Sequence, residues 1–481
     1  MKGLEGMSEK KLKLTPHQQC ALNKLLEFTR QKDKRVFVLK GYAGTGKTTM
    51  TKVLIEKLSK RNYPYVLLAS TGRAAKILAN KTGAGTSTVH GLIYKFKDLS
   101  QDMDKLVSDM EKNGVDDKGN VYLNFEPVTN DSDEEIYYLV DEASMVSDKE
   151  DLCATQALFG SGRLLSDLLS YHKKGKFIFI GDACQLPPVT QKISPALSVD
   201  YFKQEFDVEA DEFELTEVVR QKKGNDIVES AQKMRQLYVN PQTWKWAKFP
   251  FRNYKNIHIV ESQAALIDMY IKRAKKVGYK NATLLGLSNK QCDTLTNILR
   301  PAFGICSERV SEGDLLLVTQ NNFVSGLMNG DIVVVKEVRT PEYRAGLHFL
   351  PVTVEELETK LTYSQLMVEE ILYNNQTNLT QTQQKDLFVD FYKRMKELKI
   401  KQNSLEFNDM MLKDPYLNAL RAVYGYALTC HKAQGGEWEH VYLDIPRHLP
   451  GIEKPYVYQW IYTAMTRASK ELYVVNDFWI M

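Results

Sequence analysis

The stretch ALTCHKAQGGEWEHVYLD, which runs from Ala427 to Asp444, concentrates residue types that can do chemistry. Its cysteine, histidines, lysine and glutamates could bind a metal, form a catalytic Cys/His pair or hold a phosphate. The metal interpretation is weak, because Cys430 and His431 are adjacent rather than spaced as ligands of one metal, and no second ligand pair lies nearby in the sequence. The remaining choice depends on the rest of the chain.

A phosphate-binding loop is the strongest signal in the chain. An apolar run ends in the pattern G-x-x-x-x-G-K-T, from Gly41 to Thr48, and a helical pattern follows. The glycines allow a tight turn that points backbone N–H groups and a helix N-terminus at phosphates, while Lys47 reaches the β/γ oxygens and the Thr48 hydroxyl takes Mg²⁺. The predicted nucleotide-binding residues here are Gly41, Ala43, Gly44, Thr45, Gly46, Lys47, Thr48 and Thr49.

Two further apolar runs end in polar residues that suit phosphoryl transfer. The run 136–140 leads directly into Asp141 and Glu142. We expect Asp141 to hold Mg²⁺ and Glu142 to orient and deprotonate the attacking water. The run from Lys176 ends in Gly-Asp and is followed by Gln185, which we expect to sense the γ-phosphate. Apolar strands that alternate with helices and end in polar chemistry predict an α/β fold, with a parallel sheet and its site at the carboxyl edge.

Composition and length predict a folded multidomain protein. The 481 residues allow three or four domains, and 43% hydrophobic with 26% charged residues is ordinary for a globular chain. No apolar run is long enough to span a membrane and no secretory signal is visible, so a cytoplasmic, nucleoid-associated location is expected. Six cysteines without C-x-x-C spacing fit reduced thiols. A net charge of +4 is too small to indicate nucleic-acid binding by itself.

The order of short motifs along the chain resembles that of superfamily 1 helicases, in the RecD-like and Dda-like branch that is related to the Pif-type enzymes. The motifs are, in order, LTPHQQCA, GYAGTGKTT, ASTGRAA, TSTVH, DEASM, GDACQLPPV, ELTEVVRQ, ALTCHKAQGGEW and YTAMTRAS. The resemblance covers most of the chain. It implies two RecA-like P-loop NTPase domains with parallel sheets. It also implies an ATP- and Mg²⁺-dependent DNA helicase that moves 5′-to-3′ on single-stranded DNA, opens duplex junctions and acts as a monomer.

The same resemblance assigns residues to the nucleotide. Gln18 would contact adenine, and Gly436 and Glu437 would face the nucleotide cleft. Arg220 and Arg467 would be arginine fingers supplied by the second domain, because cations that arrive on closure stabilise the charge that spreads onto the γ-phosphate oxygens. Read as isolated residues, both arginines would more often be surface ion pairs.

The resemblance also places single-stranded DNA across both domains. The predicted contacts are Thr71, Arg73, Thr88, His90, Pro187 and Pro188 on the first domain, and Thr429, His431 and Lys432 on the second. Hydroxyls, backbone N–H groups and basic side chains suit phosphate contacts, which position a strand without reading its sequence. The stretch from Ala427 is then expected to be a turn that contacts both DNA and nucleotide.

Two insertions complete the predicted domain plan. The first RecA-like domain is expected at 1–96 and 136–205 and the second at 206–300 and 421–481, with a pin at 97–135 and an SH3-like barrel plus helical accessory insertion at 301–420. Tyr122 and Phe125 are candidates for a wedge that stacks on the last base pair. Because 101–135 has eleven acidic residues against three lysines, an acidic solvated loop is the alternative. The accessory helices could clamp DNA or a partner, or be purely structural.

One aromatic and basic stretch, TWKWAKFPFRNYKNIHIV from Thr243, resembles a stacking platform for bases, although IHIV favours a buried strand. Two other functions remain open for the whole chain. One is an RNA helicase or a translocase that remodels nucleic-acid complexes without separating strands. The other is a non-catalytic DNA-binding subunit of a nuclease complex, against which the intact set of phosphate, metal and arginine residues argues.

Overall fold

A computed structural model describes residues 14–113, 121–150, 157–189, 191–219, 225–374 and 376–481 of the chain. They form two lobes with parallel sheets, a small three-stranded sheet inserted in the first lobe, and an antiparallel sheet with two helices inserted in the second. Among the described residues, no helix is long and apolar enough to cross a membrane.

The first lobe is built on a six-stranded parallel sheet in the order β3-β2-β6-β8-β1-β9. The strands are β1 Val36–Gly41, β2 Tyr65–Ala69, β3 Thr86–Thr88, β6 Tyr137–Asp141, β8 Lys176–Gly181 and β9 Ala210–Leu215. The helices are α1 Pro16–Phe28, α2 Lys47–Lys60, α3 Gly72–Thr82, α4 Val89–Ile93, α6 Leu164–Tyr171 and α7 Val199–Phe206. Val36 and Val38 pack in the core on one face of the sheet, whereas Phe37 and Leu39 pack on the other. Strand β1 is therefore apolar throughout because both of its faces are covered.

The second lobe has a five-stranded parallel sheet in the order β10-β20-β19-β11-β18. Its strands are β10 Ile257–Val260, β11 Ala282–Gly286, β18 Ala427–Thr429, β19 Trp438–Leu443 and β20 Ala468–Val475. Its helices are α8 Ile227–Val239, α9 Gln263–Val277, α10 Asn289–Ala302 and α13 Tyr456–Met465. Helix α13 is buried along its whole length, which brings its polar residues into contact with the first lobe.

The insertion in the second lobe is an antiparallel sheet packed on helices. Its strands are β12 Leu315–Val318, β13 Ile332–Val338, β14 Glu342–Arg344, β15 Leu347–Glu356, β16 Thr362–Val368 and β17 Ala422–Tyr424, and its helices are α11 Gln381–Glu397 and α12 Leu405–Lys413. Alternate residues of β13 and β15, such as Val333 and Val354, are fully buried between the strands. The SH3-like character of this sheet stays a prediction.

The insertion in the first lobe consists of β4 Tyr94–Leu99, α5 Met103–Asn113, β5 Leu123–Pro127 and β7 Ala157–Phe159. It does not stand alone. Leu99 and Met103 share a hydrophobic core with Phe388 and Phe391 of α11. The Gln402 side chain strengthens this contact by accepting the Met103 N–H at 2.9 Å and donating to the Gln101 carbonyl.

The structure corrects three of the predicted domain boundaries. Strand β9, at 210–215, pairs with β1, so the first lobe extends beyond 205. Strand β17, at 422–424, pairs with β12, so the second lobe resumes after it rather than at 421. The small inserted sheet starts at Tyr94 and includes β7, so it is not confined to 97–135. In each case strand pairing joins segments that are distant in sequence.

Candidate nucleotide site and nucleic-acid interface

The carboxyl ends of three neighbouring strands define the candidate nucleotide site. Strand β1 leads into the phosphate-binding loop, β6 ends at Asp141, and β8, which lies between them, leads into Asp182. Parallel strands bring these ends to one edge of the sheet. The structure therefore brings together the predicted lysine, the predicted acids and a further acid, Asp182, for which no role was predicted.

The phosphate-binding loop has the backbone that its glycines predict. Gly44 and Gly46 have φ values of +81° and +86°, a region that side chains disfavour. A Cβ at Gly46 would also lie 2.5 Å from the Gln18 amide nitrogen. The Lys47 ammonium donates to the carbonyls of Gly41 at 2.7 Å and Tyr42 at 3.3 Å, and Thr48 stands in the first turn of α2. These features fit a phosphate cradle in which Lys47 changes partners when an anion binds.

Gln18 supports the loop rather than facing an open cleft. Its side-chain nitrogen donates to the Thr45 carbonyl at 3.0 Å, and its oxygen accepts the Thr15 N–H at 3.1 Å. The residue is buried. Both polar ends of the amide are thus used inside the protein, which differs from the predicted contact with adenine. The capping box that Gln18 forms at the start of α1 is the physical reason.

The acidic pair after β6 is held under strain. Asp141 accepts the Glu142 N–H at 3.0 Å, and Glu142 has φ +50°. Burial, together with the Glu142 charge, raises the pKa of Asp141 to about 6, whereas Lys47 acts in the opposite direction. The Glu142 Oε2 atom is buried without a hydrogen-bond partner among the described residues. A buried carboxylate oxygen without a partner can accept a hydrogen bond from water, which fits the expected role of Glu142 in orienting the attacking water.

The described residues contain no group of three or more histidines, cysteines or acids that could hold a metal by themselves. Thr48 and Asp141 still fit Mg²⁺, because this ion is usually held by one or two carboxylates together with nucleotide phosphates rather than by a complete protein cage. Their assignment as ligands remains a prediction.

Tyr462 of α13 joins the two lobes at the site, and the sequence interpretation missed it. Its hydroxyl accepts the Ala43 N–H of the phosphate-binding loop at 3.1 Å and donates to Asp182 Oδ2 at 2.8 Å. Burial and the Asp182 charge raise the pKa of Tyr462 well above its usual value, so the hydroxyl keeps its proton. Tyr462 belongs to the motif YTAMTRAS, so its place in the sequence is a signal. Only Arg467 of this motif is predicted to act at the nucleotide.

The segment Gln185–Leu186 of the first lobe is clamped by the second. Thr463 accepts the Leu186 N–H at 2.8 Å, Gln434 donates to the Leu186 carbonyl at 3.0 Å, and Gln459 donates to the Gln185 carbonyl at 3.3 Å. The side-chain oxygens of Gln185 and Gln434 are buried without partners among the described residues. Gln185 therefore lies at the contact between the lobes, where a sensor of the nucleotide would be useful.

Of the two predicted arginine fingers, the structure describes only Arg467. Arg467 is buried and donates to the carbonyls of Thr463 at 3.0 Å and Gly436 at 3.1 Å, both in its own lobe. Arg220 lies outside the described residues. The N–H of its neighbour Val219 donates to the Gly44 carbonyl at 2.9 Å, so the chain reaches the phosphate-binding loop just before Arg220.

Arg235 of α8 is a further cation at the loop that the sequence interpretation did not select. Its guanidinium carbon lies 3.5 Å from the centre of the Tyr42 ring, and it donates to Glu214 at 3.3 Å. Tyr42 also donates to Glu214. A helical arginine gives no local signal of such a role, because its partner is nearly two hundred residues away in the sequence.

Gly436 and Glu437 contact α3, and their place at the nucleotide stays a prediction. Glu437 lies 3.9 Å from Lys81, and a Cβ at Gly436 would lie 3.1 Å from the Arg73 guanidinium. Gly435 packs on Ala74 in the same way. The glycines permit this close approach of two backbones, so they serve the contact between the lobes.

Arg73 is also part of this contact, and its role at DNA stays a prediction. It is buried, and its guanidinium carbon lies 4.8 Å from the centre of the Trp438 ring of the second lobe. Burial lowers its pKa. One guanidinium nitrogen, Nη1, has no hydrogen-bond partner among the described residues. Stacking on an aromatic face is favourable for arginine and explains the placement.

The remaining candidates for DNA contact on the first lobe lie at helix starts and a turn. The hydroxyls of Thr71 and Thr88 cap α3 and α4 by accepting the N–H groups of residues three positions later. His90 packs against Phe159 with ring centres 5.1 Å apart, and burial lowers its pKa to about 4. Because it stays neutral, His90 offers no charge to a phosphate. Pro187 is buried, so exposure in this turn begins with the half-buried Pro188 and rises at Val189.

On the second lobe, the candidates follow β18. The Thr429 hydroxyl accepts the Lys432 N–H at 3.4 Å. Burial lowers the pKa values of both His431 and Lys432, although Asp293 opposes the shift at the lysine. The structure thus keeps these three residues together at the end of a strand, in a turn whose basic side chains are partly desolvated.

The pin candidates are both engaged in packing. Phe125 stacks on Phe159 with ring centres 4.7 Å apart and meets Phe96 edge-on. The Tyr122 hydroxyl lies 3.5 Å from the Gln381 side-chain nitrogen at the start of α11. Phe125 is therefore part of the aromatic core of the small sheet, and its role as a wedge stays a prediction. Residues 114–120, which belong to the predicted pin, lie outside the described residues.

Comparisons with known proteins agree with this architecture. A family model described as an AAA domain matches residues 13–239, and one described as a UvrD-like helicase C-terminal domain matches residues 424–475. The chain is 23% identical to the ATP-dependent RecD2 DNA helicase of Deinococcus radiodurans, over 91% of this chain and 46% of that protein. It is 40% identical to the ATP-dependent DNA helicase dda of Enterobacteria phage T4, over 17% of this chain and 18% of that one. The chain thus spans about half the length of the RecD2 relative.

A crystal structure of Pif1 helicase from Bacteroides in complex with ADP-AlF3 and ssDNA is 17% identical, over 97% of this chain and 93% of that one, with a TM-score of 0.44. The family matches and curated relatives confirm the resemblance to superfamily 1 helicases of the RecD-like and Dda-like group. The predicted fold class, α/β with two RecA-like lobes, is confirmed as well.

The raised pKa of Asp141 predicts that Mg²⁺ binding depends on pH. A metal binds the ionised carboxylate, so affinity falls as pH falls through about 6. Between pH 7.5 and 5.5 the ionised fraction drops to about a quarter, and Mg²⁺ binding in the presence of ADP should weaken about fourfold. Calorimetric titration of wild type and Asp141→Asn at both pH values measures this.

The phosphates of the nucleotide also titrate in this pH range. The deciding comparison is therefore between wild type and Asp141→Asn at the same two pH values. Asp141→Asn should bind weakly with little added pH dependence, and the exposed Asp200→Asn should behave as wild type does. Equal pH dependence in wild type and Asp141→Asn would contradict the assignment.

Proposed function

We propose that the chain is an ATP- and Mg²⁺-dependent DNA helicase that moves 5′-to-3′ along single-stranded DNA and separates duplex strands. The observation that carries the proposal is the Tyr462 hydroxyl, which connects the phosphate-binding loop of one lobe, the Asp182 carboxylate and a helix of the other lobe. A site assembled from two lobes couples the state of a bound nucleotide to the distance between them. That coupling is what a motor on nucleic acid requires.

Nucleotide binding would redistribute the hydrogen bonds described above. Phosphate oxygens accept from loop N–H groups, and so compete with the Tyr462 hydroxyl for the Ala43 N–H. Lys47 would leave the Gly41 carbonyl for the phosphates, and Mg²⁺ held by Thr48 and Asp141 would neutralise charge on them. Glu142 would then take a proton from the attacking water. Arg220 and Arg467 would supply positive charge as the lobes close, and Arg467 must release the Gly436 carbonyl to do so.

The path for single-stranded DNA is proposed along α3, α4 and the end of β18. Thr71 and Thr88 mark helix starts, where backbone N–H groups attract phosphates. Thr429, His431 and Lys432 offer a hydroxyl and two basic side chains on the second lobe. These groups recognise the backbone, so little sequence specificity is expected. The names of the relatives, RecD2 and dda DNA helicases, support DNA as the substrate, and the Dda-like and RecD-like motif pattern supports the 5′-to-3′ direction.

The other functions considered have less support. An RNA helicase or a translocase without strand separation would use the same chemistry, and the unwinding experiment below decides between them. A non-catalytic subunit is disfavoured, because the strained Glu142 with its unpaired buried oxygen is costly to keep without a reaction to use it.

Replacing Glu142 by Gln should separate ATP binding from hydrolysis. Glutamine keeps the shape of the side chain but cannot take a proton from water, so hydrolysis should slow by roughly 100-fold or more while nucleotide still binds. Single-turnover hydrolysis and ADP titration measure the two properties. The exposed Glu134→Gln is a matched control, and Lys47→Ala should lose hydrolysis as well. A Glu142→Gln rate within about threefold of wild type would be incompatible with a general base.

Replacing Tyr462 by Phe should weaken the link between the lobes. The ring is kept, but the Ala43 N–H loses its acceptor and Asp182 its donor. Losing two buried hydrogen bonds should lower kcat for DNA-stimulated ATP hydrolysis by about tenfold or more, with a smaller change in KM for ATP. Tyr458→Phe in the same helix is the control, because its hydroxyl has no hydrogen-bond partner among the described residues. Equal kcat values for Tyr462→Phe and Tyr458→Phe would contradict the role of Tyr462 in linking the two lobes.

The direction of movement is tested with tailed duplexes. DNA duplexes with a 5′ single-stranded tail should be opened in the presence of ATP and Mg²⁺, and those with a 3′ tail should not. The same pair made of RNA tests the choice of nucleic acid, and Lys47→Ala is the control for ATP dependence. Opening of 3′-tailed DNA alone would overturn the direction, and opening of RNA alone would overturn the substrate. Hydrolysis that is stimulated by DNA without any strand separation would favour the translocase.

A further inference from the structure

An exposed aromatic surface lies on the second lobe, away from the residues discussed so far. Trp244 and Trp246 are 47% and 41% exposed, and Phe478 is 44% exposed. The other three tryptophans of the chain, Trp438, Trp460 and Trp479, are buried. Large aromatic side chains grouped at the surface usually mark a place where something binds. We call Trp244, Trp246 and Phe478 the tryptophan surface.

The tryptophan surface is held in a fixed arrangement. The Trp246 and Phe478 rings meet edge-on with centres 5.8 Å apart, and Trp246 is packed so closely on Gly451 that a Cβ there would lie 2.6 Å from the indole. Below the rings, the Phe249 N–H donates to the Trp479 carbonyl at 2.7 Å. The Lys454 ammonium donates to the Trp244 carbonyl and, at 2.8 Å, to the Gln242 carbonyl. The Trp246 and Phe478 rings are thus already ordered, and the Trp244 backbone is held in place, so little conformational entropy is lost there when a ligand binds.

The surroundings of the rings are cationic. The Lys245 ammonium lies 5.6 Å from the Trp246 ring centre, and the Lys248 ammonium lies 5.5 Å from that of Phe478. Lys454 and the highly exposed Arg447 add two more positive charges. Two acids lie nearby, and each already has a basic partner. Asp477 lies 2.8 Å from Arg447, and Glu453 lies 3.9 Å from Lys192. The described residues around the rings therefore leave an excess of positive charge.

The position of the surface connects it with the proposed DNA path. Glu453, next to Lys454, lies 3.9 Å from Lys192 of the first lobe. Lys192 follows the turn at Pro188 and Val189, where the first lobe is proposed to meet the strand. A strand that leaves this turn along the second lobe would pass Lys454 and arrive at the tryptophan surface.

We propose that the tryptophan surface binds single-stranded nucleic acid beyond the main path, with bases stacked on Trp244, Trp246 and Phe478 and phosphates near Lys245 and Arg447. Aromatic faces alternating with cations match a chain in which flat bases alternate with anions, and stacking accepts any base. An acidic peptide is the competing ligand. It fits less well, because each ring has its own neighbouring lysine, and a peptide does not alternate flat rings and negative charges regularly. The inference extends the proposed function and takes its choice of nucleic acid from it.

The test compares the binding of short and long strands without ATP. Fluorescein-labelled oligo-dT of about 8 nucleotides should occupy the main path, whereas about 30 nucleotides should also reach the tryptophan surface. Trp244→Ala should bind the long strand about fivefold more weakly than wild type, the loss of one stacking contact, and should bind the short strand normally. Trp244→Phe should recover most of the affinity. Tyr343→Ala, which removes an exposed aromatic ring of the antiparallel insertion, should match wild type.

The salt dependence gives a second measurement that does not rely on a tryptophan. Lys245→Gln should reduce the slope of log affinity against log salt by about 0.7 on the long strand only, the value for one lost phosphate contact. Unchanged affinity of Trp244→Ala and an unchanged slope of Lys245→Gln on the long strand would overturn the proposal. So would quenching of the tryptophan fluorescence by an acidic, phenylalanine-containing peptide but not by oligo-dT, since that result would mark a protein-docking surface.

The outcome is separable from that of the proposed function. A chain that binds long oligo-dT through the tryptophan surface but opens no duplex would contradict the helicase and leave this inference standing. A chain that opens 5′-tailed duplexes while Trp244→Ala binds long and short strands as wild type does would contradict only the inference.

Discussion

One buried hydroxyl, that of Tyr462, connects two partners in the first lobe with a helix of the second. It accepts from the phosphate-binding loop, donates to the acid that follows β8, and is carried by a helix of the second lobe that is buried along its length. Leaving either partner unsatisfied in a buried site would cost roughly 1–3 kcal/mol, so the hydroxyl fixes the distance between the lobes in this state. The contacts of Gln434, Gln459 and Thr463 with the segment Gln185–Leu186 are arranged around the same helix and reinforce it.

This constraint explains why several residues lie where they do. The segment from Ala427 to Asp444 lies at this contact. Thr429 ends strand β18, Gln434 donates to the first lobe, and Gly435 and Gly436 let the backbone approach α3. Gly436 and Arg73 meet at Trp438, so residues that the sequence divided between nucleotide and DNA lie together at the contact of the lobes. A contact of this kind has to change whenever the lobes move.

Much of the site was accessible from the sequence because it depends on local rules. A glycine pattern between a strand and a helix predicts the phosphate-binding loop, and an apolar run that stops at two acids predicts the end of β6. What failed depends on contacts that are distant in sequence. Strand β9, with the sequence ADEFEL, is an edge strand with polar exposed positions, so its periodicity did not reveal that it pairs with β1. The packing of Phe125 on Phe159 and of Arg73 on Trp438 likewise could not be inferred from either residue alone.

The inserted sheet of the first lobe shares a hydrophobic core with the accessory helices of the second, through Leu99, Met103, Phe388 and Phe391. The lobes are therefore joined through this core as well as beside the nucleotide site and at α3. Because close-packed side chains resist separation, the inserted sheet and the accessory helices have to move as one body as long as the core stays intact. A change at one lobe is thereby carried to the far end of the other.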